Sequence, residues 1–497
     1  MNIVPCTAWV RRGVSAAVPD KVQLTPQELE TIIKQTETEL QELDSDSENE
    51  DDKTVAQSMR VNVEKNESEA NEDGMVVDEY NFDNYDSEAG NIHCNIGGLA
   101  VYNADGKDPF VTIEDGEDVD SEKEDDIIKP DDNLVLIGHV EGDASILEIF
   151  VYNEKEGSFY CHHDILLPSF PLCLEWLNFD PSDAKAGNLC AMGNMTRVID
   201  VWDLDLVDCL EPAFKLGKKK ADKGHKDAVL DIAWNTNYTH VLASGSADKT
   251  TLLWDLESMK PVNKLKSFGD KVQAIQFHPS ETHHLLTGCA DKIVRLFDCK
   301  AQNEAKCWQA SGEVERVLWN HFNSNYCFIS TDTGKIECID VRQDKVLWQV
   351  DAHEKEVTGL SLSTSCPGLL VTASADGVVK VWDAVRPEIL EPVWEKKMNL
   401  GDLLCLAASP DSPFVFATGG DNKSNNFKVW DLLDTPEVSE RFKTRELVKT
   451  VTGSTEADQT EVMNVAADME EMELEAGTST KSTKSTKSTK STKKSKK

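Results

Sequence analysis

Seven short segments of this 497-residue chain end alike, in a β-rich run, an aromatic or aliphatic residue, and then Asp or Asn. They close at Asn153, Asp203, Asp255, Asp298, Asp340, Asp383 and Asp431, with spacings of 50, 52, 43, 42, 43 and 48 residues. A second marker lies 21 residues before four of these endings, at Trp234, Phe277, Trp319 and Leu362. Trp176 and Ala408 play the same part at slightly longer spacing. Two markers in one phase, with a period of about 40–45 residues and a Trp-Asp ending, define WD-repeat blades. Each repeat reads as an inner strand, a second strand such as "VLASGS", a tight turn such as "ADKT", and a third strand ending in "LLWD". The runs are rich in Val, Ile, Leu and Thr, as buried sheet requires. The fold class that follows is all-β: a seven-bladed WD-repeat β-propeller over 131–433.

A propeller closes its ring by borrowing a strand from elsewhere in the chain. The repeats begin in mid-blade at "NLVLIGHV", so an upstream piece must complete the ring. Two segments qualify, "CTAWVRRG" (6–13) within the N-terminal segment 1–24 and "GLAVYN" (98–103), and the sequence does not choose between them.

Two repeats carry a four-membered polar set. One holds His225, Ser244 or Ser246, Asp248 and Trp254; the other holds His353, Thr372 or Ser374, Asp376 and Trp382. Indole N–H, hydroxyl, imidazole and turn carboxylate can be linked in one chain that satisfies every buried polar group. The same residue types make a Ser-His-Asp catalytic set, but recurrence at the blade period assigns them to structure. Elsewhere Phe297 and Ile339 take the Trp position and Tyr152-Asn153 ends the first repeat, which reads as drift. No catalytic, cofactor or metal residues are assigned: phosphate loop, nucleophile elbow and metalloprotease helix are absent from the sequence. "CHH" at 161–163 and His283-His284 lack a second ligand pair at metal spacing. The 13 Cys show no C-x-x-C spacing, which fits reduced thiols. No run reaches 18 apolar residues, so no membrane span is expected; with no catalytic motif assigned, no small-molecule substrate is expected either.

The charge is strongly acidic and uneven. Lys and Arg number 51 against 90 Asp and Glu, a net charge of −39. Acid concentrates at 42–52 and 114–126, within a region 44–130 whose composition predicts disorder with short docking segments. Such runs suit basic partners such as histones or ribosomal proteins. Ser45, Ser47 and Ser121 each precede an acid by three residues and are candidate phosphorylation sites. Before the first run, 25–43 reads as an amphipathic helix, with Thr25, Pro26 and Glu28 forming an N-terminal capping box. In 78–86, Tyr80, Phe82 and Tyr85 alternate with acids and form a candidate partner-binding segment. Basic residues cluster twice. Lys215, Lys218, Lys219, Lys220, Lys223 and Lys226 crowd one inter-repeat loop, and the extension 434–497 ends in a low-complexity Lys/Ser/Thr tail with eight Lys. Both read as import signals or RNA-phosphate contacts, with Lys218, Lys219, Lys220 and Lys223 as the residues of choice.

Segments in order along 1–435 carry a resemblance. They include "CTAWVRRG", "DEYNFDNYD", "DPFVTIED", "VYNEKEGSFYCHHDILL", "EWLNFDP", "GNMTRVIDVWDLD", "GHKDAVLDIAWN" and "VLWNHF". Together they resemble the periodic tryptophan protein 1 family. The resemblance implies a nuclear and nucleolar protein linked to ribosomal RNA synthesis and to processing of the large-subunit precursor. It also implies chromatin association, as described for animal members. The expectation is a non-enzymatic scaffold in ribosome biogenesis that docks ribosome-assembly factors and basic ribosomal proteins and touches precursor rRNA, with no cofactor. Two alternatives stand beside it. One is a histone-binding adaptor that regulates ribosomal RNA genes; the other, more remote, is a ubiquitin-ligase substrate receptor, whose marker of Arg two residues after Trp-Asp is incomplete here, since Arg342 follows a repeat ending without Trp and Arg386 comes one residue late. Residues expected on the narrow face are Arg197, Lys249, Lys271, Arg316, Glu337 and Lys380.

Overall fold

The computed structural model describes residues 2–22, 126–182, 186–218, 224–301, 303–386 and 388–448. They form seven antiparallel sheets arranged as a β-propeller. The third strand of every blade ends on the residue that marks the repeat, from Ala144–Asn153 in blade 1 to Phe427–Asp431 in blade 7. The inner strands end at or beside the second marker, as in Val229–Trp234 and Val314–Trp319. Strand direction therefore puts two loops on one face of the disk: the loop entering each inner strand and the turn between second and third strands.

The ring is completed by Asn2–Val10, which is the inner strand of blade 1 and pairs antiparallel with Asn133–Glu141. Its sequence explains the placement. Val4, Cys6, Trp9 and Val10 are all buried, so both faces of the strand find apolar neighbours. Blade 1 then continues through Ala144–Asn153 and Ser158–Leu167. Blades 1 to 6 have four strands, whereas blade 7 has three among the described residues: Leu403–Ala408, Val415–Gly420 and Phe427–Asp431. The N-terminal segment supplies an inner strand of blade 1, and among the described residues no outer strand pairs with Phe427–Asp431.

A repeated glycine sets the seam between blades. A Cβ on Gly245 or Gly288 would come within 3.0 Å of Val272 or Val314, the first residue of the next inner strand. Gly419 meets Val4 in the same way, at 2.5 Å. Hence Val4 occupies in blade 1 the place that Val272 holds in blade 4, and only glycine permits the approach.

Beyond the propeller, a short helix, Pro436–Phe442, follows blade 7. Pro at its start and Glu437 in its first turn favour initiation, and Arg441 suits its last turn. Val438 and Phe442, four apart, share one face and are fully buried against Leu432, Phe414 and Phe416. Arg441 and Arg445 both reach Asp383 of blade 6, at 2.6 and 2.7 Å. The extension therefore begins with a docked element, which the sequence reading passed over; Thr435-Pro436-Glu437 was its signal. The proposed helix 25–43 lies outside the described residues, as does the Lys-rich tail.

Candidate functional site: the blade networks, the channel and the loop face

The two polar sets assemble. In blade 3, His225 Nε2 lies 2.7 Å from Ser244 Oγ, and Trp254 Nε1 donates to the same hydroxyl at 2.7 Å. His225 Nδ1 faces both carboxylate oxygens of Asp248 at 3.4 Å. In blade 6, His353 lies 2.9 Å from Thr372 Oγ1 and 3.0 Å from Asp376, while Trp382 donates to Thr372 at 3.0 Å. Ser246 and Ser374 instead donate to Asp227 O and Lys355 O of the loop entering the inner strand and accept from Asp248 N and Asp376 N of their own turns. Burial opposes the charge on Asp248, yet bonds from His225 and Thr250 and the N–H of Lys226 hold its carboxyl well below the usual range. The hydroxyl in each set is buried and already engaged with two ring nitrogens, so it has no open side for a substrate.

Blade 4 fills the same space differently. Phe268 stands where His225 does, four residues before the matching Val, and Phe297 replaces Trp254. The rings lie 5.5 Å apart, and Arg295 sits 5.3 Å over Phe268 while gripping Asp291 at 2.7 Å. In blade 2, Trp202 is kept but Met192 takes the hydroxyl position, so the buried indole N–H has no partner.

A central channel of about 580 Å³ runs between the inner strands. Glu175, Asp231 and Arg316 line it with Cys6, Cys173 and Cys405. Each polar side chain grips the next blade. Glu175 accepts from Trp234 N at 3.1 Å, Asp231 from Ile275 N at 2.7 Å, and Arg316 donates to Thr358 O at 3.0 Å. Gln276 in blade 4 repeats the role of Glu175, accepting from Trp319 N at 2.6 Å. Burial pushes Glu175 up to about 8, with Asp231 adding to the shift against the Trp234 N–H. Burial likewise raises Asp231 to about 6, opposed by Arg316. Two protonatable carboxyls in a cavity have the look of an acid–base pair. Their backbone partners identify them as clasps around the ring.

The loop face segregates charge. Over blades 2 to 4 it exposes Arg197, Lys218, Lys226, Lys249, Lys271 and Lys292. Several acids there are already engaged: Asp270 with Lys249 at 3.3 Å, Asp291 with Arg295, and Asp248 with His225. Lys249 and Lys292 adopt φ of 63° and 66°, where blades 5 and 6 have Gly334 and Gly377. A lysine in this left-handed position costs about 1 kcal/mol relative to glycine. The same face over blades 5 to 7 and blade 1 exposes Glu354, Glu356, Asp421, Glu141 and Asp143, with Lys355 and Lys423 among them, while the cationic side also exposes Asp227.

Of the residues expected on the narrow face, Arg197, Lys249 and Lys271 are exposed there. Three are not. Arg316 lines the channel, Glu337 is 1% exposed and accepts from Ser311 N, and Lys380 lies within a third strand paired with Glu395 at 2.9 Å. These three sit inside strands, so their direction follows the pleat rather than the loops. Arg342 turns back on Asp340 at 2.8 Å, and Arg386 bonds Glu391. Tyr80, Phe82, Tyr85, Lys219, Lys220, Lys223, Ser45, Ser47 and Ser121 lie outside the described residues. Among the described residues, twelve cysteines are free thiols and no group of three or more ligating side chains could hold a metal. Among the described residues, no helix is long and apolar enough to cross a membrane.

Comparison with known proteins agrees with this architecture. The family described as "WD domain, G-beta repeat" matches residues 217–255, 259–298 and 344–383, which cover repeats 3, 4 and 6. The chain is 42% identical to the periodic tryptophan protein 1 homolog of Drosophila melanogaster, over 85% of this chain and 92% of the relative. It is 35% identical to an uncharacterized WD repeat-containing protein of Schizosaccharomyces pombe, over 90% of this chain and 92% of the relative. It is 29% identical to periodic tryptophan protein 1 of Saccharomyces cerevisiae, over 89% and 90%. At 42% identity over 85% of this chain and 92% of that relative, the chain belongs to the periodic tryptophan protein 1 family of WD-repeat proteins.

Proposed function

We propose that this protein is a non-enzymatic nuclear and nucleolar scaffold in ribosome biogenesis. It acts in ribosomal RNA synthesis and in assembly and processing of the large-subunit precursor. The observation that carries the reading is the divided loop face: exposed cations over blades 2 to 4 in a chain of net charge −39. Two of those lysines sit in strained turns, where glycine would cost less. A cationic arc of this kind suits RNA phosphates, and the acidic half suits basic ribosomal proteins and assembly factors. Lys219, Lys220 and Lys223 lie in sequence between Lys218 and Lys226, outside the described residues. No aromatic residues interleave with the arc's cations, so the contact is with the backbone rather than with bases.

The test is purification of the tagged protein from nuclear extract with RNA preserved, alongside a variant reversing Lys218, Lys219, Lys220 and Lys223 to Glu. Recovery of large-subunit precursor RNA with assembly factors is expected. The variant is expected to lose most of the RNA and to show a shallower salt dependence, by roughly 0.7 in log–log slope for each phosphate contact removed. Histones and ribosomal-gene DNA without precursor RNA would replace this reading with the chromatin adaptor.

A further inference from the structure

The central channel holds a cation that the ring does not use up. Six inner strands break their ladder register once, and the residue after each break takes an equivalent place: Cys6, Cys173, Asp231, Ala274, Arg316 and Cys405. Gly359, opposite Ala373, holds that place in blade 6. Arg316 is thus flanked in blades 4 and 6 by Ala274 and Gly359, neither with a side chain longer than a methyl. Its Nε donates to Thr358 O of blade 6 at 3.0 Å, while Nη1 lies 3.9 Å from the Asp231 carboxylate of blade 3. The guanidinium therefore stands in the lumen between those blades, with the side chain 31% exposed. Its one carboxylate neighbour is held at the outer limit of an ion pair, because the other oxygen of Asp231 accepts from Ile275 N. The thiols of Cys6, Cys173 and Cys405 feel the Arg316 charge from blades 1, 2 and 7, and burial keeps all three protonated. A clasp to the next blade needs no charge, as Gln276 shows. The terminal nitrogens of Arg316 exceed what the clasp requires.

We infer that the channel binds a small anionic molecule, whose phosphate or carboxylate group pairs with Arg316 and whose remainder lies along Trp176 and Trp234. The planar fork of a guanidinium matches both oxyanions, and an enclosed site strengthens the pairing. The cavity of about 580 Å³ falls within the range of small-molecule sites. Trp176 and Trp234 line it and are partly exposed, so they offer an apolar wall. Its mouth is marked by Arg11, Thr236, His321 and Thr364, which follow the ends of four inner strands. The ligand therefore enters from the face opposite the cationic arc, and its site is separate from the one proposed for RNA. The carboxyls do not cancel the cation. Burial pushes Glu175 up to about 8, which leaves it largely uncharged at neutral pH, and Asp231 up to about 6. No motif announces such a site in the sequence, because its wall is drawn from all seven blades.

Tryptophan fluorescence of the full-length protein tests the proposal, with sulfate standing in for a phosphate group and acetate for a carboxylate, at constant ionic strength. A saturable change is expected, and the tighter of the two probes identifies the class of ligand. Arg316→Gln is expected to weaken that binding at least tenfold, whereas Lys249→Gln with Lys271→Gln on the loop face leaves it unchanged. Over pH 8 to 6 both probes keep their charge while Glu175 and Asp231 take up protons. The wild-type affinity is therefore expected to rise several-fold across that range, a trend that needs no variant and holds even if Arg316→Gln unfolds. The absence of a saturable change with either anion would overturn the proposal. So would binding that survives Arg316→Gln in a protein of unchanged melting temperature, or an affinity flat with pH. Loss of binding in the lysine pair would assign the anion to the loop face and equally defeat it.

Discussion

Blades 3 and 4 are neighbours with the same four strands and the same turn geometry, and they are sealed in opposite ways. Blade 3 links Trp254, Ser244, His225 and Asp248 through hydrogen bonds. Blade 4 packs Phe268 on Phe297 and caps them with an Arg295–Asp291 pair. The difference teaches that a repeat conserves the space to be filled rather than the chemistry that fills it. Removing the imidazole and the indole together removes the need for the hydroxyl's second and third partners, and Thr287 then bonds its own neighbour, Arg295 O. Blade 2 is the half-way case, with a Trp whose network is missing.

The comparison breaks most visibly at Arg295, whose side chain is 7% exposed. Arg295→Ala leaves Asp291 charged and enclosed, with an expected loss of about 3 kcal/mol. His225→Ala in blade 3 removes a smaller share and is expected to cost about 1–3 kcal/mol. Adding Asp291→Asn is expected to restore much of the blade 4 loss. Denaturation midpoints of the three variants check the order, and equal losses from Arg295→Ala and His225→Ala would sink it.

A second contrast sets Glu175 in blade 2 against Gln276 in blade 4, which make the same clasp. Because Glu175 is raised to about 8 when folded, the folded protein holds a proton that the unfolded chain has released above about 4.3. Its contribution to stability is therefore present at low pH and is lost as pH rises from about 4.3 through about 8. Glu175→Gln keeps the acceptor for Trp234 N and removes the titration. The variant is expected to match the wild type near pH 4.5 and to exceed it by about 2 kcal/mol at pH 8, read from urea midpoints across pH. The channel wall leaves this residue partly exposed, so the gain is set below the full shift. Parallel pH curves for the two proteins would refute the assignment.

The smallest effect is the sharpest discriminator. Trp254→Phe discards a satisfied indole N–H, whereas Trp202→Phe discards an unsatisfied one. Both lose similar volume, so the blade 3 variant is expected to be the more damaging by about 1 kcal/mol. Matching losses would mean that the N–H of Trp202 is bonded by a water.

Much of this was legible in the residues. The endings from Asn153 to Asp431 coincide with the ends of the third strands because the Asp or Asn caps the turn that follows. Asp203, Asp255 and Asp298, for example, each accept main-chain N–H groups two or three residues on. The members of the polar networks were legible too, since a His, a hydroxyl, an Asp and a Trp at one period have only one way to satisfy each other. The loop face was read less well. Arg316, Glu337 and Lys380 are charged and lie near turns in sequence, but charge does not reveal which way a strand's pleat points it.

The sequence by itself determined the number of blades, the strand order within them and the family, because those rest on local pattern repeated at a constant period. Only the tertiary structure decided the rest. It selected Ser244 over Ser246 and Thr372 over Ser374, hydroxyls two residues apart in sequence, the second of each pair bonding a main-chain carbonyl instead of the imidazole. It placed Asn2–Val10 in blade 1, where Val4 meets Gly419 across the seam. It left blade 7 with three strands among the described residues, because closing a ring depends on which distant segments fit a common gap, and no local pattern encodes that.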